Sequence, residues 1–138
     1  MTVTLPPGYK PSEKEIFLND LQLEYFRQRL IQWRLELLEE ANETLTSLQQ
    51  NSPVTPDLGD RASVEANRLL ELRTRDRARK LIFKINKALE RIEDGSYGYC
   101  EETNEPIGIK RLDARPIATL SLEAQERHER MEKTHLGD

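Results

Sequence analysis

The chain has 138 residues, of which 36% are hydrophobic and 33% are charged, so it has room for one domain with an elongated extension and not for a large multidomain enzyme. Its 21 Lys and Arg against 25 Asp and Glu give a net charge of -4, which gives the whole molecule no electrostatic reason to bind DNA, RNA or an anionic membrane. The absence of a long apolar stretch or a signal peptide, together with a single Cys, predicts a cytoplasmic interaction protein without an internal disulfide.

Residues 1–18 are predicted to form a flexible N-terminal arm. Pro6, Pro7, Gly8 and Pro11 prevent a continuous helix in this segment. We therefore expect the arm to bury little surface.

Residues 19–50 contain no Gly or Pro and are predicted to form a long amphipathic helix. Asn19 or Asp20 is a plausible N-cap. Apolar residues recur at steps of three or four and form one stripe: Leu23, Phe26, Leu30, Trp33, Leu37, Ala41, Leu45 and Leu48. At about 1.5 Å per residue the helix would be roughly 45 Å long, which is too long for a small globular bundle.

Residues 51–60 have the composition of a loop, with two prolines, a glycine and several Asx or hydroxyl residues. Asp60 is the predicted N-cap of a second helix over residues 61–93, whose stripe consists of Ala62, Ala66, Leu69, Leu70, Leu81, Ile85, Ala88 and Ile92. Two helices of matched length joined by ten residues predict an antiparallel coiled-coil hairpin with the loop at its tip.

The middle of the second helix is strongly basic. Its basic ridge, as we name it, consists of Arg73, Arg75, Arg77, Arg79 and Lys80. Residues 61–93 contain ten basic and five acidic residues, whereas residues 12–50 contain four basic and eight acidic ones. Most such charge runs are solvated faces with interhelical ion pairs. The alternative is a ridge that docks on an acidic protein channel or on phosphate.

Residues 95–138 are predicted to form a small lobe and a last helix. Gly95 is a candidate C-cap for the second helix. The strand-like spacing of the Tyr97–Tyr99 and Ile107–Ile109 pairs predicts a β-hairpin that turns at residues 102–105. Ser121 is the predicted N-cap of a helix to about Lys133, with Leu122 and Met131 available for packing. The predicted fold is thus mainly α, with the hairpin on a globular base made from both chain ends.

The lobe has the spacing of a four-ligand zinc module from which three ligands are missing. The four positions fall on Cys100, Thr103, Ser121 and Ala124, and only the first can supply a thiolate. We therefore predict no zinc and interpret Cys100 as a small buried hydrophobe. The aromatic and aliphatic residues of the lobe would then form its core. They are Tyr97, Tyr99, Ile107, Ile109, Leu112, Ile117 and Leu120.

Four segments together resemble the DksA/TraR family of bacterial transcription factors. They are FLNDLQLEYFRQRLIQWR, the motif DLGDRA, the run ELRTRDRARKLIFKINKALERIEDGSYGYCE, and IGIKRLDARP. The resemblance covers nearly the whole chain after Gly8, and the sequence is similar to a cysteine-poor branch of the family.

This resemblance implies that the hairpin enters the secondary channel of RNA polymerase and alters initiation without direct DNA binding. It places Asp57, Asp60 and Ala62 at a tip near the polymerase active site. It also assigns Thr74 and Arg77 to the channel rim. From the residues alone, the first choice is that Asp60 is only an N-cap and Asp57 a solubilising loop acid.

The resemblance also implies a binding site for ppGpp that is shared with polymerase. It falls on Leu81, Lys84 and Arg115, and Gln125 replaces a further basic residue. No other cofactor is implied, and the chain is expected to be a monomer. Without the resemblance, Lys84 is a solvated helix charge and Arg115 is a surface partner of Asp113 or Glu123.

Two other classes of function are alternatives to a secondary-channel factor. A coiled-coil adaptor would self-associate and leave polymerase unaffected. A nucleotide-hydrolysing enzyme would need a P-loop, another Gly-rich phosphate cradle or an acid/base pair, and the sequence contains none of these.

Overall fold

The structure, a computed structural model, describes the backbone of residues 3–50 and 58–136, and the side chains in those ranges apart from 44–50, 58–60, 135 and 136. The fold is mainly helical, as predicted. Its helices are α1 (Asp20–Gln50), α2 (Leu58–Asp94), α3 (Ile109–Ala114) and α4 (Leu122–Leu136). Across the described ranges, every helix is too short or too polar to cross a bilayer.

The starts of the two long helices differ in how well the sequence predicts them. The Asn19 side-chain oxygen accepts a hydrogen bond of 2.9 Å from the backbone N–H of Gln22, which confirms Asn19 as the N-cap of α1. The second helix starts at Leu58, so Asp60 lies in its first turn and the prediction of Asp60 as N-cap is wrong. An Asp is favourable in either place, because both lie at the positive end of the helix dipole.

The chain forms two compact units, and α1 and α2 each contribute to both. The lobe unit consists of Met1–Leu30 and Lys87–Asp138, and the hairpin unit consists of Ile31–Asn86.

The hairpin unit is an antiparallel pair of helical segments. The Arg34 guanidinium donates a hydrogen bond of 2.7 Å to the side-chain oxygen of Asn86. Further along, Leu38 and Ala41 of α1 line a common groove with residues 72–82 of α2, so residue numbers rise on one helix as they fall on the other. Among the described side chains, Leu37, Ala78 and Ile85 are buried.

Part of the predicted apolar stripe of α2 is solvent-exposed. Ala62, Ala66, Leu69 and Leu70 are all exposed, so the stripe predicts burial correctly only nearer the C-terminal end of α2. Leu69 and Leu70 are 52% and 62% exposed, although they are adjacent and point only about 100° apart on the helix.

The N-terminal segment is part of the lobe unit and contacts the start of α1, and each of its described side chains is half-buried or exposed. Gln22 is fully buried, accepts a hydrogen bond from the Leu18 backbone N–H and donates one to the Ser12 carbonyl. The ring of Tyr9 packs edge-on against Tyr25. The prolines prevent a helix here, but they do not prevent an irregular segment from docking through its side chains.

The predicted β-hairpin is reduced to one antiparallel bridge between Tyr99 and Pro106 within the described ranges. Flanking hydrogen bonds join Cys100 N–H to the Glu105 carbonyl and Ile107 N–H to the Gly98 carbonyl. Pro106 has no N–H to extend the ladder. The chain then enters α3, so Ile109 is a buried helical residue and not the strand residue that its spacing with Ile107 predicts.

Helix α4 begins as the sequence predicts but packs differently. The Ser121 hydroxyl accepts a hydrogen bond of 3.2 Å from the Ala124 N–H, which confirms Ser121 as the N-cap. Leu122 and Met131 are 58% and 61% exposed, so their predicted packing role is wrong. The buried α4 side chain is instead Ala124, because its small size allows α4 to approach the lobe closely.

Candidate functional sites

The predicted tip lies only partly within the described residues. Asp57 lies outside them, and Asp60 is described only as a backbone position in the first turn of α2. Ala62 is exposed on the same helix. The proximity of these three residues to a partner's active site therefore stays a prediction.

The basic ridge lies on α2 and divides into paired and unpaired cations. Arg79 and Lys80 form ion pairs with Asp76 at 2.7 Å and 3.3 Å. The hydrogen bond and charge of Lys80 lower the pKa of the Asp76 carboxyl, with a smaller contribution from Arg79. Ala78 is the buried residue of the ridge segment and faces away from the solvated cations.

Three cations of the ridge are left for a partner. Arg73, Arg75 and Arg77 form no hydrogen bond or ion pair through their side chains within the described part of the chain, and all three are exposed. Arg73 and Arg77 are four positions apart and share one face of α2, whereas Arg75 points to another side and lines the groove between α1 and α2. Guanidinium groups bind carboxylates and phosphates in two-pronged geometry, so each of these residues is a strong anion-binding group.

The two predicted rim residues share one face of α2. Thr74 and Arg77 are three positions apart, a spacing that places side chains next to each other on a helix, and both are exposed. The Thr74 hydroxyl donates a hydrogen bond of 3.0 Å to the Leu70 carbonyl of its own helix. The pair is thus available for an external contact.

The residues predicted to bind ppGpp are divided between the two units. Leu81 and Lys84 belong to the hairpin unit, where Leu81 is half-buried and Lys84 is exposed. Arg115 is exposed in the lobe unit, directly after α3. The Asp113 carboxylate pairs with Arg29 at 2.7 Å and not with Arg115. The proximity of Lys84 and Arg115 stays a prediction.

Two of the degenerate zinc positions, Thr103 and Ser121, lie next to the Cys100 sulfur. Burial raises the pKa of this thiol. Hydrogen bonds from the Thr103 hydroxyl and from the backbone N–H groups of Ser121, Thr103 and Glu102 outweigh that effect and lower the pKa to about 6. Cys100 is buried, as the sequence predicts. The hydrogen-bond donors around its sulfur are not predicted by its interpretation as a small hydrophobe.

These four residues do not fit a zinc ion. The methyl group of Ala124 has no donor atom, and the Ser121 hydroxyl and backbone cap α4. Structural zinc sites require four thiolate or imidazole ligands. The described residues contain no group of three or more His, Cys, Asp or Glu placed to hold a metal.

Ion pairs that sequence patterns do not reveal tie the turn at residues 101–105 to two helices of the lobe unit. Arg91 of α2 pairs with Glu101 at 3.6 Å. On α4, the His128 ring is hydrogen-bonded to Glu102, and Arg127 lies 3.9 Å from the same carboxylate. These contacts connect α2 and α4 to the turn, as metal ligands on both sides of it would.

The hairpin unit also contains a groove between α1 and α2 that the sequence pattern does not predict. Its volume is about 570 Å³, and it is lined by Leu38, Ala41, Leu72, Arg75, Asp76, Arg79 and Ile82. The sequence contains one signal of it, because Leu38 and Leu72 are large apolar residues that fall outside the predicted stripes.

Comparisons with known proteins show what the chain is similar to. Residues 22–92 match the family described as DnaK suppressor protein DksA, N-terminal domain, and residues 95–130 match the prokaryotic dksA/traR C4-type zinc finger. The RNA polymerase-binding transcription factor DksA of Caulobacter vibrioides is 63% identical over 130 residues, which are 94% of this chain and 92% of that protein.

More distant relatives have the same or a similar name. The factor of the same name from Escherichia coli K12 is 44% identical over 132 residues, which are 96% of this chain and 86% of that protein. The solved structure of transcription factor DksA2 from Pseudomonas aeruginosa has a TM-score of 0.78 and 40% identity, and the match covers 85% of this chain and 90% of that one.

Proposed function

The chain belongs to the DksA/TraR family, and from that premise we propose that it regulates bacterial transcription by binding RNA polymerase. The proposal includes entry of the hairpin into the secondary channel, the pore through which nucleotides reach the active site. The protein would act in the cytoplasm, as a monomer, without direct DNA binding and without a catalytic role of its own.

The observation that carries the proposal is the pair of exposed, unpaired arginines, Arg73 and Arg77, on one face of α2. A net charge of -4 does not favour an anionic partner. However, Arg73 and Arg77 concentrate positive charge on one exposed face of α2 without pairing within the described residues. Such local complementarity raises association rates and fixes orientation at an acidic protein surface. We assign Thr74 and Arg77 to the channel rim.

The tip would act at the polymerase active site through its carboxylates. Asp60 and Arg77 are both on α2 and 17 residues apart, which corresponds to roughly 25 Å along a helix. The ridge could therefore hold the protein at the rim while Asp57, Asp60 and Ala62 reach deeper and alter the stability of the open promoter complex.

We further propose that ppGpp binds between this chain and polymerase. Leu81, Lys84 and Arg115 would supply one side of the site, and polymerase would supply the remainder. Two exposed cations suit a multiply phosphorylated ligand. The neutral Gln125 removes one further charge that could strengthen the site.

Transcription in vitro tests the proposal directly. Purified chain is added to RNA polymerase on a ribosomal RNA promoter, with and without ppGpp, and open-complex lifetime and transcript yield are measured. We expect a change in open-complex lifetime that ppGpp enhances. An unchanged lifetime, combined with self-association of the chain in sedimentation, would instead support a coiled-coil adaptor.

A further inference from the structure

The α1–α2 groove has a composition that the coiled coil itself does not explain. Leu38 is 45% exposed and Leu72 is 49% exposed, although both line the groove with Ala41 and Ile82. An antiparallel pair that existed only to pack its own seam would cover such leucines. Here their apolar surface remains available at the floor of an open groove.

The polar residues of the groove are predominantly cationic. Asp76 is already neutralised by Arg79 and Lys80. Arg75 forms no ion pair within the described residues, so the groove presents a free guanidinium beside apolar surface. A suitable partner therefore carries both an aliphatic group and a carboxylate.

We propose that this groove binds an acidic segment of RNA polymerase that carries an aliphatic anchor residue. The anchor would lie between Leu38 and Leu72, and a neighbouring carboxylate would pair with Arg75. This inference rests on the proposed function and adds to it an apolar contact, made by a part of the hairpin other than the rim pair. A volume of about 570 Å³ accommodates several side chains of such a segment.

The chain offers a closely matched control for the apolar contact. Leu35 lies on the same helix as Leu38, is the same residue type and is 48% exposed, but it is not part of the groove lining. Leu38→Asn and Leu35→Asn therefore make the same change of side chain at two positions that are almost equally exposed. Only the first change affects the groove.

Affinity for purified RNA polymerase, measured with the full chain, tests the proposal. We expect Leu38→Asn to weaken binding about tenfold, which corresponds to the lower end of the free energy of burying one leucine. Leu35→Asn should change the affinity less than twofold. If Leu38→Asn lowers the melting temperature, Leu38→Ala replaces it, because alanine is favourable in helices.

A second arm tests the charge. Arg75→Ala is expected to weaken binding about fivefold at low salt and to flatten the dependence of affinity on salt, since a charged contact is screened. Arg68→Ala, which removes an exposed α2 cation outside the groove lining, should leave that dependence nearly unchanged.

The outcomes separate this inference from the function on which it rests. Equal affinities for Leu38→Asn and Leu35→Asn, with wild-type binding intact, would overturn the groove and leave the polymerase factor standing. A wild-type chain that does not bind polymerase would overturn both. Self-association that depends on Leu38 would show that a second copy of the chain occupies the groove, which would also overturn the proposal.

Discussion

Gly98 lies where the backbone of the lobe passes closest to the side chain of Leu18. A Cβ on Gly98 would overlap the Leu18 methyl carbon and lie 3.4 Å from Leu112. Its φ of +87° is itself strained for other residues. A side chain at this position would therefore force the Leu18 side chain to shift.

We expect Gly98→Ala to destabilise the protein by about 1–3 kcal/mol through overpacking, in addition to roughly 1–2 kcal/mol of backbone strain. Gly95→Ala is the control, because Gly95 has a nearly equal φ of +85° but no atom within 4 Å of its Cβ position. Urea denaturation measures both free energies of unfolding. An equal decrease in the free energy of unfolding of both variants would show that crowding against Leu18 does not destabilise Gly98→Ala.

Replacing Arg77 is expected to change the affinity for polymerase without changing the stability of the fold. Because its side chain is exposed and forms no ion pair within the described ranges, Arg77→Ala should change the melting temperature very little. It should weaken polymerase binding at low salt and do so less at high salt, because rim charges act mainly on association. Lys110→Ala, an exposed charge on α3, is the control. Unchanged affinity at both salt concentrations would remove Arg77 from the interface.

At the scale of elements, the turn after Cys100 links pH to stability. The hydrogen bonds that lower the Cys100 pKa to about 6 favour the thiolate in the folded state, whereas an unfolded Cys has a pKa of about 8.5. Between these two values the unfolded chain binds more protons than the folded chain, so stability rises with pH. The stabilisation is complete above about pH 8.5 and is lost as pH falls through about 6.

Wild type and Cys100→Ser should therefore differ in the pH dependence of their melting temperatures. Serine can accept the same hydrogen bonds but does not ionise in this range. We expect the stability advantage of wild type to grow from pH 6 to pH 8.5, under reducing conditions. Parallel profiles would contradict a thiolate at Cys100.

The start of α2 carries the second prediction at this scale. The double change Asp57→Ala and Asp60→Ala should abolish the effect on open complexes and largely preserve polymerase binding, because the ridge is unaltered. Asp60 lies in the first turn of α2, where loss of its charge costs about 0.3–1 kcal/mol of helix stability. Asp60→Asn removes only the charge. Full regulatory activity in Asp60→Asn, measured as open-complex lifetime, would show that the charge is dispensable.

At the scale of the whole molecule, one prediction concerns the ppGpp site that we propose this chain shares with polymerase. Lys84→Ala combined with Arg115→Ala should remove the ppGpp-dependent part of regulation and spare the remainder. The isolated chain should bind ppGpp weakly, since two exposed cations offer no enclosing site. Gln125→Lys should strengthen the ppGpp response by adding a cation. Tight binding of ppGpp to the free chain in calorimetry would exclude a shared site.

The sequence by itself determined the long helices, the Ser121 cap and the loss of the zinc ligands, and it narrowed the first cap to Asn19 or Asp20. These features are local, because they depend on residue spacing, on the absence of Gly and Pro, and on donor atoms that a residue type either has or lacks. The resemblance to the DksA/TraR family was also readable from contiguous motifs, and the comparisons confirmed it.

Only the tertiary structure decided what depends on residues far apart in the chain. It docked the N-terminal segment through Gln22 and Leu18, replaced the strand at Ile109 by α3 and opened the groove at Leu38. It also surrounded Cys100 with hydrogen-bond donors from Thr103 and Ser121. The periodicity of a sequence predicts which face of a helix or strand each residue lies on. Whether that face contacts another element, solvent or a hydrogen-bond donor depends on how the elements pack together, which the pattern of a single element does not contain.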